Sequence, residues 1–436
     1  MRVSRAAVAG ALVAGLVLVP GSPAHAETVD CLSTDPEAPI PSSSTDRSLP
    51  LDALGMSEVE DWLDTRAAGR RDRPGAGVRV AVLDSGVAPR AVQAGIPVVR
   101  QVSFTRGGAV VDDAHGTAVA GLIAGPPRQG TGGEDLPVGI APGAEIVDVK
   151  VYDAAQPDEG QDGVEPANLV AGLNWVADNA RALRIGVVNV SLAVGEYPPL
   201  TRALRRLAAA DVVVVAASGN RPEEGDPLYA EFGLEEGQDA PPPGQDAAGQ
   251  VWPAAYPRVL AVSSTADGSG APDATDVVLQ NSDIDVAVPA FGAISYGLDG
   301  GTCGLPSIYT SWAAAEVSGI VAVLRSAFDE RAPQIVARLV ATASGTPDTA
   351  ATRNVQTGAG VVQPYEALVR PLRPSKDGEL RRSTSDDRDV ERATAPPEEV
   401  DLLAGASDRA LWWGLVAGGA LLLALVLRPV LARRRS

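Results

Sequence analysis

From residue 78 onward, short runs rich in β-branched and aliphatic residues alternate with longer stretches in which apolar positions recur every three or four residues. The β-rich runs are 78–83, 145–151, 185–192, 212–217, 259–263 and 284–288; the periodic stretches are 117–123, 166–179, 200–210, 312–328 and 333–342. Strands this rich in Val and Ile bury both faces, which is the habit of parallel strands covered by helices on each side. The pattern therefore predicts an α/β fold with a mainly parallel sheet and helices on both faces. Functional groups in such sheets gather beyond the carboxyl ends of strands. Asp84 directly follows the first run and Asn220 comes shortly after the fourth.

The flanking segments read differently. Arg2 and Arg5 precede an apolar run over 6–20, and Ala24-His25-Ala26 fits a small-x-small cleavage site, so 1–26 reads as a signal peptide cut after Ala26, with an uncleaved anchor as the alternative. Residues 27–70 are rich in Pro and Ser before a short helical pattern at 51–63, and read as an arm leading into a domain over 71–370. Within that domain, 221–250 is crowded with carboxylates and prolines and reads as an acidic surface loop; no spaced ligand pattern marks a calcium site. The polar, charged stretch 371–405 reads as a disordered tether. Residues 410–427 then hold no charge, begin beside Trp412 and Trp413, and end before a basic tail, 428–436. That length spans a bilayer, and the trailing arginines orient it with the C-terminus cytoplasmic. The expectation is a single-pass protein of the cell membrane with its catalytic body outside.

Composition narrows the chemistry. A net charge of −19 argues against nucleic acid as a partner, because phosphate binding needs concentrated Lys and Arg. The chain has 2 histidines, and His25 falls in the signal segment, so His115 is the one imidazole of the mature protein. General-base chemistry through histidine at neutral pH therefore has to use it. Asp84 upstream and Ser311 downstream complete an Asp, His, Ser order known among serine proteases. In such a set the serine needs a base during attack, and the imidazole needs a carboxylate to fix its tautomer. A strand leading to Ser218-Gly219-Asn220 would place a side-chain amide where an oxyanion develops. No metal or organic cofactor is required. Cys31 and Cys303 are the 2 cysteines, and an exported compartment permits them to pair and staple the arm near the Ser311 segment; two free buried thiols are the alternative.

Taken together, these motifs resemble the subtilisin-like serine proteases, or subtilases. Val80-Ala81-Val82-Leu83-Asp84-Ser85-Gly86 is similar to the family's Asp motif and His115-Gly116-Thr117-Ala118-Val119-Ala120-Gly121 to its His motif. Ala217-Ser218-Gly219-Asn220 resembles its oxyanion motif, and Thr310-Ser311-Trp312-Ala313-Ala314 its Ser motif. The signal peptide, the arm, Trp252-Pro253-Ala254-Ala255-Tyr256-Pro257 and the C-terminal apolar run are more narrowly similar to mycosins, membrane-anchored subtilases of type VII secretion.

The resemblance implies a doubly wound sheet, peptide or protein substrates, and a type VII secretion membrane complex as a partner. It implies Asp84, His115 and Ser311 as the catalytic triad and Asn220 as the oxyanion donor. It also implies that Ser191, Leu192, Ala193, Ser218 and Gly219 bind substrate by strand pairing. The Ser motif departs from the family at Tyr309, where Gly is usual, and at Ala315, where Pro is usual. Two readings follow: an active endopeptidase, or a weak or silent subtilase that serves as a structural or binding component of a secretion complex.

Overall fold

The computed structural model describes residues 28–66, 73–130, 132–222, 228–233, 241, 244–266, 272–344, 354–380 and 404–432. The expected signal peptide, parts of the acidic loop, residues 381–403 of the tether and the last four residues of the basic tail lie outside them. Contacts divide the chain into two units, through Arg381 and from Arg382 onward.

The first unit is organised by strands β1 (Arg79–Asp84), β2 (Val98–Ser103), β3 (Arg128–Gln129), β4 (Asp135–Leu136), β5 (Glu145–Lys150), β6 (Ile185–Val190), β7 (Val213–Ala217), β8 (Val259–Thr265), β9 (Val286–Pro289), β10 (Ala293–Tyr296) and β11 (Thr302–Leu305). Seven of them form one sheet in the order β2-β5-β1-β6-β7-β8-β9, and every pairing in it is parallel. β3 with β4 and β10 with β11 are separate antiparallel pairs. The helices are α1 (Leu49–Ala53), α2 (Met56–Arg66), α3 (Pro89–Gln93), α4 (His115–Ala124), α5 (Pro166–Leu183), α6 (Pro198–Ala209), α7 (Thr310–Ala327), α8 (Ala332–Ala341) and α9 (Pro364–Val369), with α10 (Ala404–Ala432) in the second unit.

Alternate residues of the central strands enter two cores. Val80, Val82, Val187 and Val262 pack with α4 and α7 on one face; Ala81, Leu83, Val188 and Ala261 pack with α5 and α6 on the other. This double burial is why the strands read as runs rich in Val, Ile, Leu and Ala. β2 departs from the pattern: it is an edge strand with mostly exposed side chains, and no run marks it. From β1 the chain winds to β2 and β5 on one side, then crosses to β6 on the other. The carboxyl ends of β5, β1 and β6 therefore border a topological switch point, where such sheets carry their sites.

The N-terminal arm is part of this body. Asp30 bridges to Gly304 and Ser43 to Thr302, so the arm runs along β11. Cys31 and Cys303 form a disulfide with their Cα atoms 4.9 Å apart. Leu51, Leu54, Met56 and Val59 are buried in the α4–α7 core. Within the acidic loop, Tyr229–Phe232 is a 3₁₀ turn, and Leu228 is buried in the α5–α6 core.

The second unit holds α10, whose Leu411, Trp412, Trp413 and Leu421 are exposed. Among the described residues, no helix is long and apolar enough to cross a membrane.

One core residue carries an expected stability effect. Glu316, on α7, is 1% exposed, and among the described residues neither carboxylate oxygen has a hydrogen-bond partner. Burial pushes its carboxyl well above the usual range. The folded chain therefore holds a proton that the unfolded chain releases, so this contribution is complete below about pH 4.5 and is lost as pH rises toward the raised value. Glu316→Gln removes it at nearly constant shape. Asp148, likewise buried and pushed up to about 6, contributes its slope in both proteins. Urea unfolding between pH 5 and 8 should fall less steeply for Glu316→Gln than for wild type, by up to ~1.4 kcal/mol per pH unit. Equal slopes would remove Glu316 as the source.

Candidate active site

Asp84 is the last residue of β1 and is fully buried. Its Oδ1 accepts three hydrogen bonds: from Ser85 N–H (2.8 Å), from Tyr152 O–H (3.0 Å) and from His115 Nδ1–H (2.7 Å). Tyr152 follows β5 as Asp84 ends β1, so neighbouring strands deliver both groups. The carboxylate can only accept, so it holds the imidazole in the tautomer whose Nε2 is free to take a proton.

His115 opens α4, with its backbone N–H on Asp113 Oδ1 (2.8 Å). The approach of α4 to β1 depends on glycine. A Cβ on Gly116 would sit 2.6 Å from Gly86 O, and Gly86 itself has φ +100°. Ser85 Oγ accepts from Gly116 N–H and donates to Asp113 C=O, closing the same turn. The other face of the imidazole meets Trp312, whose fully buried ring lies 4.8 Å away between centroids and 32° between planes. Burial alone would lower the imidazole pKa, but the adjacent Asp84 charge and hydrogen bond outweigh it, and the net value is raised.

Ser311 lies in the first turn of α7, where its N–H has no acceptor within the helix. Its carbonyl accepts from Ser191 Oγ (2.7 Å), which accepts from Asn189 Nδ2 (2.9 Å), while Asn189 Oδ1 accepts from Ser318 Oγ (2.9 Å). This buried polar chain ties the start of α7 to the end of β6. Asn220 Oδ1 accepts from both Thr310 N–H (2.9 Å) and Thr310 Oγ–H (3.0 Å). The amide is thereby oriented, with its Nδ2 donors left for the cleft.

His115, Ser311, Asn220, Tyr309, Leu192 and Ala193 line one cavity of about 380 Å³, with Ser191 and Gly219 also on its wall. Among the described residues, no hydrogen bond joins Ser311 Oγ to His115; the two share the cleft without substrate. One expected substrate contact is placed differently. Ser218 is fully buried, with its N–H on Val262 C=O and its own C=O accepting from Asn281, and it does not line the cleft. Ser191 reaches the wall, but its hydroxyl is engaged beneath Ser311. Tyr152, Trp312 and Leu32 were not singled out in the sequence. Tyr152 alone had a signal there, its place just past a strand end. Among the described residues, no group of three or more His, Cys, Asp or Glu side chains is arranged to hold a metal.

Fold and cleft together define a subtilisin-like hydrolase. The chain matches the Subtilase family, Peptidase_S8, over residues 75–362; it belongs to that family and is a serine endopeptidase. It is 30% identical to Mycosin-1 of Mycobacterium tuberculosis over 83% of this chain and 87% of that protein. It is 30% identical to Mycosin-4 of the same organism over 83% of this chain and 78% of that one. Among solved structures it is similar to MycP1 from the ESX-1 type VII secretion system, with TM-score 0.58 and 25% identity over 81% of this chain and 92% of that one. It is also similar to MycP3 protease from the type VII (ESX-3) secretion system, with TM-score 0.54 and 27% identity over 78% and 91%.

Proposed function

We propose that this chain is an exported, membrane-anchored endopeptidase that hydrolyses peptide bonds through Asp84, His115 and Ser311 and serves a type VII secretion complex. The observation that carries the reading is the convergence of His115, Ser311 and Asn220 on one cleft, with the buried Asp84 hydrogen-bonded to the imidazole. Ser311 Oγ attacks the substrate carbonyl while His115 Nε2 takes its proton. Asn220 Nδ2 and the Ser311 N–H, at the positive end of α7, receive the oxyanion. His115 then returns the proton to the departing amine, and water reverses the sequence on the acyl-enzyme. Leu192, Ala193 and Gly219 present backbone for an extended substrate to pair with. The mycosin likeness supports the link to secretion.

The direct test is reaction of the purified chain with a fluorophosphonate probe, followed by mass mapping. The adduct is expected on Ser311; labelling absent from Ser311 would sink the catalytic assignment.

The acid limb of activity offers a second check. Only neutral His115 can accept the proton, and its pKa is raised. The low-pH limb of kcat/KM should therefore have its midpoint above about 6.5, the ordinary imidazole value. A midpoint below that value would show that Asp84 does not hold the imidazole as described.

The anchor is read from the uncharged run 410–427 and the arginines that follow it. Protease added to intact cells should release a soluble fragment ending within 371–405. Protection of that stretch until lysis would reverse the topology.

A further inference from the structure

The N-terminal arm brings an apolar side chain to the catalytic cleft. Leu32 lines the same cavity as His115, Ser311 and Tyr309, and remains 44% exposed. A single exposed leucine on a surface means little. This one is held in place from both sides. It sits in the 3₁₀ turn Cys31–Ser33, with its N–H on the capping Asp30 carboxylate (3.0 Å). Cys31 before it is buried and bonded to Cys303. Thr34 after it is buried, donating from Oγ to Cys31 C=O and accepting from Leu298 N–H (both 2.8 Å). Gly304 N–H donates to Val29 C=O (2.8 Å), continuing the pairing with β11. The backbone on both sides of Leu32 is therefore tied to the body of the domain, although it lies outside the 75–362 span of the family match.

Its side of the cleft follows from the chemistry. The turn packs against α4, the helix that His115 opens, and against β11. The imidazole delivers its proton to the departing amine, so substrate residues on the amine side of the cut bond lie toward His115. The same cavity is also lined by Leu192, Ala193 and Gly219, which follow β6 and β7.

We infer that Leu32 is a specificity-determining residue, forming with Tyr309 an apolar subsite for the leaving-group side of the substrate and selecting an apolar residue there. This rests on the reading of the cleft as a peptide site, and it assigns to the arm a part in substrate choice. Burying an apolar substrate side chain against Leu32 gains free energy in proportion to the area covered, whereas a Lys or Glu there loses hydration that the leucine side chain cannot replace.

The test uses the full chain carrying Ser311→Ala, so that binding is read apart from chemistry. Alanine-based octapeptides bearing one Leu, Phe, Lys or Glu are titrated by fluorescence anisotropy, with and without Leu32→Glu. Mass analysis of wild-type cleavage supplies the register. The Leu32-bearing chain should favour Leu or Phe on the leaving-group side. Leu32→Glu should swing preference toward Lys by about tenfold, with acyl-side preference unchanged. Leu32→Ala should flatten the leaving-group preference. An unchanged profile, or an equal shift for all peptides, would overturn the proposal. Peptide selection that responds to Leu32 while the Ser311-intact chain neither cleaves nor labels would uphold the subsite and refute the catalytic reading.

Discussion

Ser311→Ala is expected to lower kcat by about 10⁶-fold, the scale seen when the nucleophile of subtilisin itself is removed. Loss on that scale requires that the hydroxyl is the attacking group and not a helix cap. The geometry favours attack: Ser311 lies on the cleft wall beside Asn220, and the capping contact of α7 falls on Thr310. Its own carbonyl is held from beneath by Ser191. Fluorophosphonate labelling should vanish in parallel, while the unfolding midpoint stays close to wild type, because the change deletes one oxygen at the cleft. Tyr309→Gly separates this from the altered motif. Tyr309 is the N-cap of α7, with an extended backbone that any residue adopts, so the tyrosine imposes no local strain. Its ring, 6.4 Å from Trp312 between centroids, shapes the cleft wall. The expected outcome is that wild type cleaves and Tyr309→Gly alters which peptides are cut. A wild type that neither cleaves nor labels, beside a Tyr309→Gly chain that does both, would identify a silenced subtilase kept for binding.

Most of the central sheet was legible because burial on both faces keeps β1, β5, β6, β7 and β8 rich in Val, Ile, Leu and Ala, even where buried polar residues such as Asp148 and Asn189 interrupt them. Edge strand β2 was not, since exposure lets Arg100 and Gln101 interrupt it. The β10–β11 pair was missed for a related reason: four-residue strands joined through Gly and Asp carry little periodic signal. In the site, Asp84, His115, Asn220 and Ser311 could be named because each sits in a short motif that the backbone itself demands, as the crowding at Gly116 shows. Trp312 and Leu32 act through distance. No local pattern says that an indole after the serine will stack on an imidazole 197 positions earlier, or that a turn beside Cys31 will reach the cleft. Ser218 shows the opposite limit. Its motif was recognised, yet only the ladder with Val262 reveals that its backbone belongs to the sheet interior.

Asp84→Asn should reduce kcat/KM by about 10⁴-fold, with folding largely retained. The cause is tautomeric. Asp84 Oδ1 now accepts from His115 Nδ1–H, Tyr152 O–H and Ser85 N–H. Asparagine can keep only one oxygen acceptor. All three donors share the Oδ1 place, so an amide oxygen kept there would strand its N–H₂ at the buried Oδ2 place, which has no partner among the described residues; turned the other way, the N–H₂ sits among the donors and faces the imidazole. Nδ1 must then accept, the proton moves to Nε2, and Nε2 loses the capacity to take the Ser311 proton. Removing the Asp84 charge also removes the larger of the influences that raise the His115 pKa, so burial is left to lower it. The residual activity should therefore show its acid limb at lower pH than wild type, a shift opposite in sign to the one that merely weakened folding would suggest. Tyr152→Phe supplies the control. It deletes one donor to Asp84 and leaves the charge and the tautomer intact, so it should cost roughly 10- to 100-fold, about the worth of one hydrogen bond to a charged group. A Tyr152→Phe loss as large as that of Asp84→Asn would show that the tyrosine, and not the tautomer, governs the imidazole.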